Sequence, residues 1–153
     1  MRLTEILKPA NISLDMEAGT KQEAIGDLVT LLSAKGELLD AGKVLDAVME
    51  REATRTTGIG NGLAIPHGKC TGVNKLVAAM GRVRTPVDFQ AIDGKPVSLI
   101  WLLASPPDKT GPHISALAQI SRLMTNSQLR NAILQATTPE QVFELIQKQE
   151  ATM

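Results

Sequence analysis

Apolar residues recur at helical spacing in the first third of the chain. One such run comprises Ala24, Ile25, Leu28, Val29 and Leu32. Thr20 and Glu23 form a capping box ahead of this run, and Gly36 follows it, where a helix commonly ends. The pattern therefore predicts an amphipathic helix that buries one face against the rest of the protein.

Four further helices are predicted along the chain. Asp40 is placed to cap the next one, whose apolar face carries Val44, Leu45, Val48 and Met49. Pro112 is predicted as the first residue of another, after a loop over 105–111. Its expected apolar face comprises Ile114, Leu117, Ala118, Ser121 and Met124. A weaker helix follows over 127–135, and a capping box over 138–141 begins the last helix, with its stripe at Val142, Phe143 and Ile146.

The middle of the chain has the pattern of β-strands. Residues 76–83 and 97–104 read as strands, and the second is almost entirely apolar, which is typical of a central strand. Val87 and Phe89 alternate between them and predict a short third strand, while Asp93-Gly94 marks a turn. The order of helices, strands and helices predicts an α/β fold in which helices cover one sheet.

Composition narrows the class of protein. The 153 residues suit a single domain over 1–153, and no apolar run is long enough for membrane insertion. The start of the chain lacks a secretory signal, and a single cysteine, Cys70, fits a reducing cytoplasm, so we expect a cytoplasmic protein. Basic and acidic residues number sixteen each, and the chain has no tyrosine, so nucleic acid is not an expected partner.

The glycine-rich run over 58–69 contains His67, one of only two histidines. It is not a Walker loop, since five residues separate Gly62 from Gly68-Lys69, and Leu63 replaces the third glycine of a dinucleotide fingerprint. A metal site on His67 and Cys70 would need further ligands, and a Cys-His nucleophile pair lacks a supporting motif. Both stay open as minor alternatives, and Cys70 is expected to act as a small apolar filler.

Phosphoryl transfer to an imidazole fits the run better. A phosphorylated histidine needs no metal, but it does need positive charge and hydrogen-bond donors for the phosphoryl oxygens. Arg51 lies along the apolar stripe of its predicted helix, where it either extends to solvent or points at an anion beside the sheet. His113 follows Pro112 in the first turn of a helix, whose positive end favours a neutral imidazole and a bound phosphate.

These residues resemble a specific family. Residues 51–52 and 57–69 resemble the active-site signature of the fructose/mannitol-type enzyme IIA domains of the bacterial phosphoenolpyruvate-dependent phosphotransferase system, which include the nitrogen-regulatory enzyme IIA proteins. The likeness continues over 85–89 and 91–94 and around His113, and it covers nearly the whole chain. It implies a mixed β-sheet with helices on both faces.

The resemblance also implies roles for individual residues. His67 would be phosphorylated on Nε2, His113 would be the second active-site histidine, and Arg51 would contact the phosphoryl group. The loop that shapes the phosphate pocket would comprise Thr57, Gly58, Gly60 and Gly62. No metal and no nucleotide or other cofactor is implied.

The implied donor is the phosphohistidine of HPr or of its nitrogen-branch counterpart. A regulatory output through a partner protein is favoured, because no transporter or enzyme IIB segment is fused to these residues. The alternative output is transfer to a cysteine of an enzyme IIB during fructose- or mannitol-type uptake. A third possibility, of a different class, is a protein-binding module whose His67 is never phosphorylated.

Overall fold

The computed structural model describes all residues, 1–153, and contains five α-helices and one six-stranded sheet. The helices are α1 (Lys21–Ala34), α2 (Ala41–Thr54), α3 (Thr110–Met124), α4 (Ser127–Gln135) and α5 (Pro139–Ala151). The strands are β1 (Ile12–Met16), β2 (Gly58–Gly60), β3 (Leu63–Ala64), β4 (His67–Lys69), β5 (Val77–Val87) and β6 (Val97–Ser105). None of the helices combines the length and the apolar character that a membrane span requires.

Strand β6 organises the sheet, as its continuous apolar run predicted. It pairs antiparallel with β5 on one side and parallel with β3 and β4, one after the other, on its second side. Strand β1 adds to the far edge of β5 in parallel, and β2 adds to β3 in an antiparallel hairpin. The sheet is therefore mixed, and its central strand runs toward the end where His67 pairs with Leu103.

Helices cover both faces of the sheet, which confirms the expected fold class. Successive residues of β6 alternate between two cores: Ile100 and Leu102 pack toward α1 and α2, while Trp101 and Leu103 pack toward α3, α4 and α5. All four side chains are fully buried. Each contributes roughly 1.5–3 kcal/mol through removal of apolar surface from water, so β6 anchors the two layers to each other.

The helix caps lie where the sequence places them. The hydroxyl of Thr20 accepts a hydrogen bond from the Glu23 amide, the Asp40 carboxylate accepts one from the Lys43 amide, and Thr138 accepts one from the Gln141 amide. Gly36 has a φ of 72°, which suits the residue that turns the chain away after α1. The first turns of α1, α2 and α5 are therefore specified by local sequence.

One predicted strand does not form, and one observed strand was not predicted. Val87 is the last residue of β5 and Phe89 lies outside any strand, so no separate third strand forms there. The pairing of β5 with β6 shifts register between Arg82 and Val87, and this irregularity lets one strand continue through a polar stretch. Strand β1 was not predicted, although Ile12, Leu14 and Met16 alternate with Ser13 and Asp15 in the pattern of a strand with one buried face.

The helix expected to begin at Pro112 also differs. Helix α3 begins two residues earlier, at Thr110, and Ser105 belongs to β6 and not to the preceding loop. The predicted apolar face was wrong in part, since Ile114 and Ala118 are exposed, whereas Met124 is buried as expected. The buried face instead comprises His113, Ala116, Ile120, Leu123 and Met124. A buried histidine within that face concealed its spacing from a pattern based on apolar residues.

A close approach of α2 to β4 depends on Gly68. A Cβ atom at this position would lie 3.0 Å from the Val48 amide nitrogen and 3.1 Å from the Ala47 carbonyl carbon. These are backbone atoms of α2, which cannot move aside as a flexible side chain can. Glycine therefore allows the helix to pack directly on the strand that begins with His67.

We predict that Gly68→Ala lowers the free energy of unfolding by about 1–3 kcal/mol, because the added methyl group overpacks the contact between α2 and β4. Gly26→Ala is the matched control, since Gly26 lies in α1 and a Cβ there meets nothing within 4 Å. That substitution should stabilise the protein by about 0.5–1 kcal/mol. Urea unfolding measures both changes, and equal stability of the two variants would contradict the close contact at Gly68.

Candidate functional site

His67 is held by its own neighbours in the chain. It begins β4, and its side chain is half-buried. Its Nδ1 atom lies 2.8 Å from the carbonyl oxygen of Ile65. Because a carbonyl oxygen can only accept, Nδ1 carries the ring proton and donates it, and the lone pair of the neutral ring is on Nε2. Nε2 is therefore the nitrogen available for chemistry.

Arg51 lies beside His67 because α2 packs on β4. It belongs to the last turn of α2, and it lines the two hollows that flank the imidazole of His67. One guanidinium nitrogen donates to the carbonyl oxygen of Arg55, at 2.8 Å, which holds the side chain across the end of the helix. The remaining donors of the guanidinium are available to a bound anion.

Glu52 connects the end of α2 to the glycine-rich run. Its carboxylate is buried, accepts hydrogen bonds from both the amide and the hydroxyl of Thr57, and forms an ion pair with Lys21. The carbonyl oxygen of Thr57 accepts from the Ile65 amide, and the carbonyl oxygen of Ile65 binds the His67 ring. A continuous set of hydrogen bonds therefore fixes the orientation of the imidazole from α2.

The expected pocket loop divides into two parts. Thr57 and Gly58 line the hollow beside His67, and a Cβ at Gly58 would lie 2.8 Å from the Cβ of Ala91. Gly60 and Gly62 do not line either hollow. They form the turn between β2 and β3, where φ is 100° and 74°, in the left-handed region that favours glycine. These two glycines shape the hairpin that follows the pocket residues Thr57 and Gly58.

His113 is brought against His67, as the resemblance implied. The two ring centroids are 5.5 Å apart, and the ring planes meet at 61°. His113 is only 3% exposed, and its Nδ1 lies 2.6 Å from the hydroxyl oxygen of Ser105, the last residue of β6. Strand β6 therefore reaches both histidines, since it pairs with β4, which begins at His67, and its last residue, Ser105, contacts His113.

Burial and nearby charge keep both rings neutral. Burial lowers the pKa of His67, and the positive charges of Arg51 and Lys69 lower it further, against the opposing effects of the Ile65 carbonyl and of Glu52. Burial lowers the pKa of His113 to about 4, with contributions from His67 and Lys69. At neutral pH the site therefore holds two uncharged imidazoles in a positively charged surrounding.

Three residues of this site were not assigned a role from the sequence. Glu52 adjoins Arg51 in the signature, but only the structure shows that its carboxylate is buried against Thr57. Lys69 lines the hollow that contains both histidines, and it adds positive charge there. Ser105 lies at the end of an apolar strand, and nothing in the sequence distinguishes its hydroxyl from that of any other serine.

Three residues that were predicted to form the apolar face of α3 line the candidate site. Ile114 and Leu117 line the hollow next to both histidines, and Leu117 and Ser121 line the hollow next to Arg51. These residues therefore border the site, and Leu117 also packs against the edge of the core beneath α3.

Cys70 packs against the core around α1 and α2, in line with its expected role as an apolar filler. No cluster of three or more His, Cys, Asp or Glu side chains could hold a metal ion.

Comparison with known proteins gives a consistent result. Residues 5–149 match the family model described as "Phosphoenolpyruvate-dependent sugar phosphotransferase system, EIIA 2". The chain is 33% identical over 146 residues to the "PTS system fructose-specific EIIABC component" of Bacillus subtilis, a match that covers 95% of the chain but only 23% of that longer relative. It is 30% identical to the "Nitrogen regulatory protein" of Pseudomonas aeruginosa, with 95% of each sequence covered.

A solved structure shares the whole fold. The chain superposes on nitrogen regulatory protein IIA-Ntr from Neisseria meningitidis with a TM-score of 0.87 and 35% sequence identity. The match covers 94% of this chain and 98% of that one. The mixed sheet and its covering helices are therefore those of a known protein structure.

We predict that the free energy of unfolding falls in mild acid because the pKa of His113 is lowered in the folded protein. Between pH 6.5 and about 4 the unfolded chain binds a proton at His113 that the folded protein does not, so the free energy of unfolding falls as pH drops through this window. His113→Gln removes this contribution. Urea denaturation at pH 7 and at pH 4.5 measures how far the free energy of unfolding falls between the two values. We expect this fall to be smaller in the variant than in the wild type by about 1–3 kcal/mol. The same loss in both proteins would contradict a neutral, buried His113.

Proposed function

The chain belongs to the EIIA 2 family of the phosphoenolpyruvate-dependent sugar phosphotransferase system, and on that premise we propose that His67 is its phosphoryl carrier. The proposed donor is the phosphohistidine of an HPr-type carrier protein or of its nitrogen-branch counterpart. The protein then acts as a phosphotransferase component that holds the group as a phosphohistidine and passes it to a downstream partner. No metal or organic cofactor takes part in the proposed reaction.

One observation carries this proposal: the hydrogen bond from His67 Nδ1 to the Ile65 carbonyl. It leaves the Nε2 lone pair free in a ring that burial and adjacent positive charge keep neutral at pH 7. A protonated imidazole has no lone pair with which to attack, so the lowered pKa favours the reactive form. The bond also stabilises the ring after transfer, when it carries both the phosphoryl group and the Nδ1 proton.

The proposed step exchanges one nitrogen–phosphorus bond for another. Nε2 of His67 attacks the phosphorus, and the bond to the donor nitrogen breaks, with its electron pair returning to the donor imidazole. Because two phosphohistidines have similar energy, catalysis consists of positioning and electrostatic stabilisation. Arg51 is the cation placed to offset charge on the phosphoryl oxygens, and Lys69 and His113 border the same hollow.

We propose a regulatory output for the phosphorylated protein. Support comes from its similarity to IIA-Ntr of N. meningitidis and to the nitrogen regulatory protein of P. aeruginosa, each matched over nearly its full length. The second candidate is transfer to a cysteine of an enzyme IIB, and it is supported by the match to the fructose-specific component of B. subtilis. We place the exchange in the cytoplasm, where a thiol such as Cys70 stays reduced.

Mass spectrometry after incubation with phosphoenolpyruvate, enzyme I and a histidine carrier tests the carrier function. We expect the wild-type protein to gain one acid-labile phosphoryl group and His67→Ala to gain none. The variant should keep its melting temperature within a few degrees, because His67 is half-buried and its loss opens no large cavity. A wild-type protein that gains no phosphoryl group from any carrier would instead support a binding module.

Arg51→Ala should slow phosphoryl transfer by about 10- to 100-fold, the range expected when a hydrogen bond to a charged group is lost. Arg122→Ala is the matched control, because Arg122 is exposed and lines neither of the hollows that flank His67. Single-turnover transfer from the phosphorylated carrier measures both rates. Equal rates in the two variants would show that Arg51 has no special role at the phosphoryl group.

A further inference from the structure

Ser105 contacts His113 but has no part in the transfer step proposed for His67. Its side chain is fully buried at the end of β6, and its hydroxyl oxygen lies 2.6 Å from Nδ1 of His113. No other hydrogen-bond partner of this hydroxyl is found in the structure. This contact is therefore the hydrogen bond of the buried hydroxyl, and it is made to the Nδ1 edge of the His113 ring.

The direction of this hydrogen bond follows from counting protons. A serine hydroxyl has one hydrogen to donate, and Nδ1 of His113 is the only acceptor within reach. If Nδ1 carried the proton and donated to the hydroxyl oxygen, the hydroxyl hydrogen would be buried without an acceptor, which is costly. The hydroxyl therefore donates to Nδ1.

This direction fixes where His113 carries its own proton. With a pKa lowered to about 4, the ring is neutral at pH 7 and has one N–H group. Since Nδ1 accepts from Ser105, that group is Nε2–H, on the edge of the ring away from Ser105. The ring lies against His67 and lines the hollow that Lys69 and Arg51 also border. The two histidines are thus held in opposite tautomers, His67 with a free Nε2 lone pair and His113 with an Nε2–H donor.

We propose that Ser105 is a positioning residue of the phosphoryl site, whose hydroxyl holds His113 in the Nε2–H tautomer so that it can donate to the phosphoryl group on His67. This inference rests on the proposed function, because the group that accepts from His113 Nε2–H is the phosphoryl group proposed for His67. Ser105 itself touches no reacting atom and acts only through His113. Its effect on transfer should therefore disappear when His113 is absent.

The tautomer is measured first, on the unphosphorylated protein. Nitrogen-15 NMR of the imidazoles at pH 7 should show His113 protonated at Nε2 and His67 protonated at Nδ1. Ser105→Ala should give a mixture of the two tautomers at His113, and Ser105→Thr, which keeps the hydroxyl, should restore Nε2–H. Ser98→Ala is the matched control, since Ser98 lies on the same strand and its hydroxyl makes no side-chain hydrogen bond; its spectrum should match that of the wild type.

The kinetic test is a double-mutant cycle. Ser105→Ala alone should slow transfer from the phosphorylated carrier to His67 by about tenfold, the lower part of the range for a lost hydrogen bond to a charged group. In a His113→Ala background the same substitution should change the rate less than twofold, because the residue through which Ser105 acts is already gone. Melting temperatures of all variants separate this effect from loss of fold.

Two results would overturn the inference. One is a wild-type His113 protonated at Nδ1, and the other is an equal slowing by Ser105→Ala with and without His113, which would indicate a purely structural role. Failure of the proposed function looks different. In that case wild-type His67 would gain no phosphoryl group, while the tautomer of His113 and its response to Ser105→Ala would still be measured as described.

Discussion

The hydrogen bond between His67 Nδ1 and the carbonyl oxygen two residues earlier decides what this site can do. It selects the tautomer, turns the Nε2 lone pair outward and keeps a partner for the Nδ1 proton once Nε2 is occupied. A side chain free to rotate would present either nitrogen. Here the backbone of residues 65–67 makes that choice, and the segment is itself fixed to the central strand through the pairing of β4 with β6.

The rest of the fold supports that bond from two directions. From one side, α2 packs on β4 at Gly68, which brings Arg51 to the imidazole and lets buried Glu52 hold Thr57 in place. From the other side, β6 ends in Ser105, and α3 begins with a turn that buries His113. The positive charges of Arg51 and Lys69 lie near two neutral rings, so an anion entering the hollow is stabilised while the ring of His67 keeps its Nε2 lone pair.

Local sequence predicted much of the fold, for identifiable reasons. The capping residues Thr20, Asp40 and Thr138 act within one turn of their helices, and the apolar run of β6 could be buried only in the centre of a sheet. The alternation in β1 was overlooked, but its place in the sheet could not be read from the sequence, since its pairing with β5 joins residues about seventy positions apart. The buried face of α3 was missed because it contains His113, a polar residue whose burial depends on Ser105 and on the packing of the site.

The three residues assigned to the site from the sequence lie together, but the residues that support them were not identified. His67, Arg51 and His113 were identified from a signature and from their residue types, and the structure brings all three to the same hollow. Glu52 and Ser105 act through hydrogen bonds to distant backbone or side-chain atoms, which no spacing rule reveals. Phosphorus–nitrogen correlation NMR of the phosphorylated protein determines which imidazole nitrogen carries the phosphoryl group. We expect Nε2 of His67, because Nδ1 is engaged by the Ile65 carbonyl. A phosphoryl group on Nδ1 of His67, or on either nitrogen of His113, would show that this hydrogen bond does not select the reactive nitrogen.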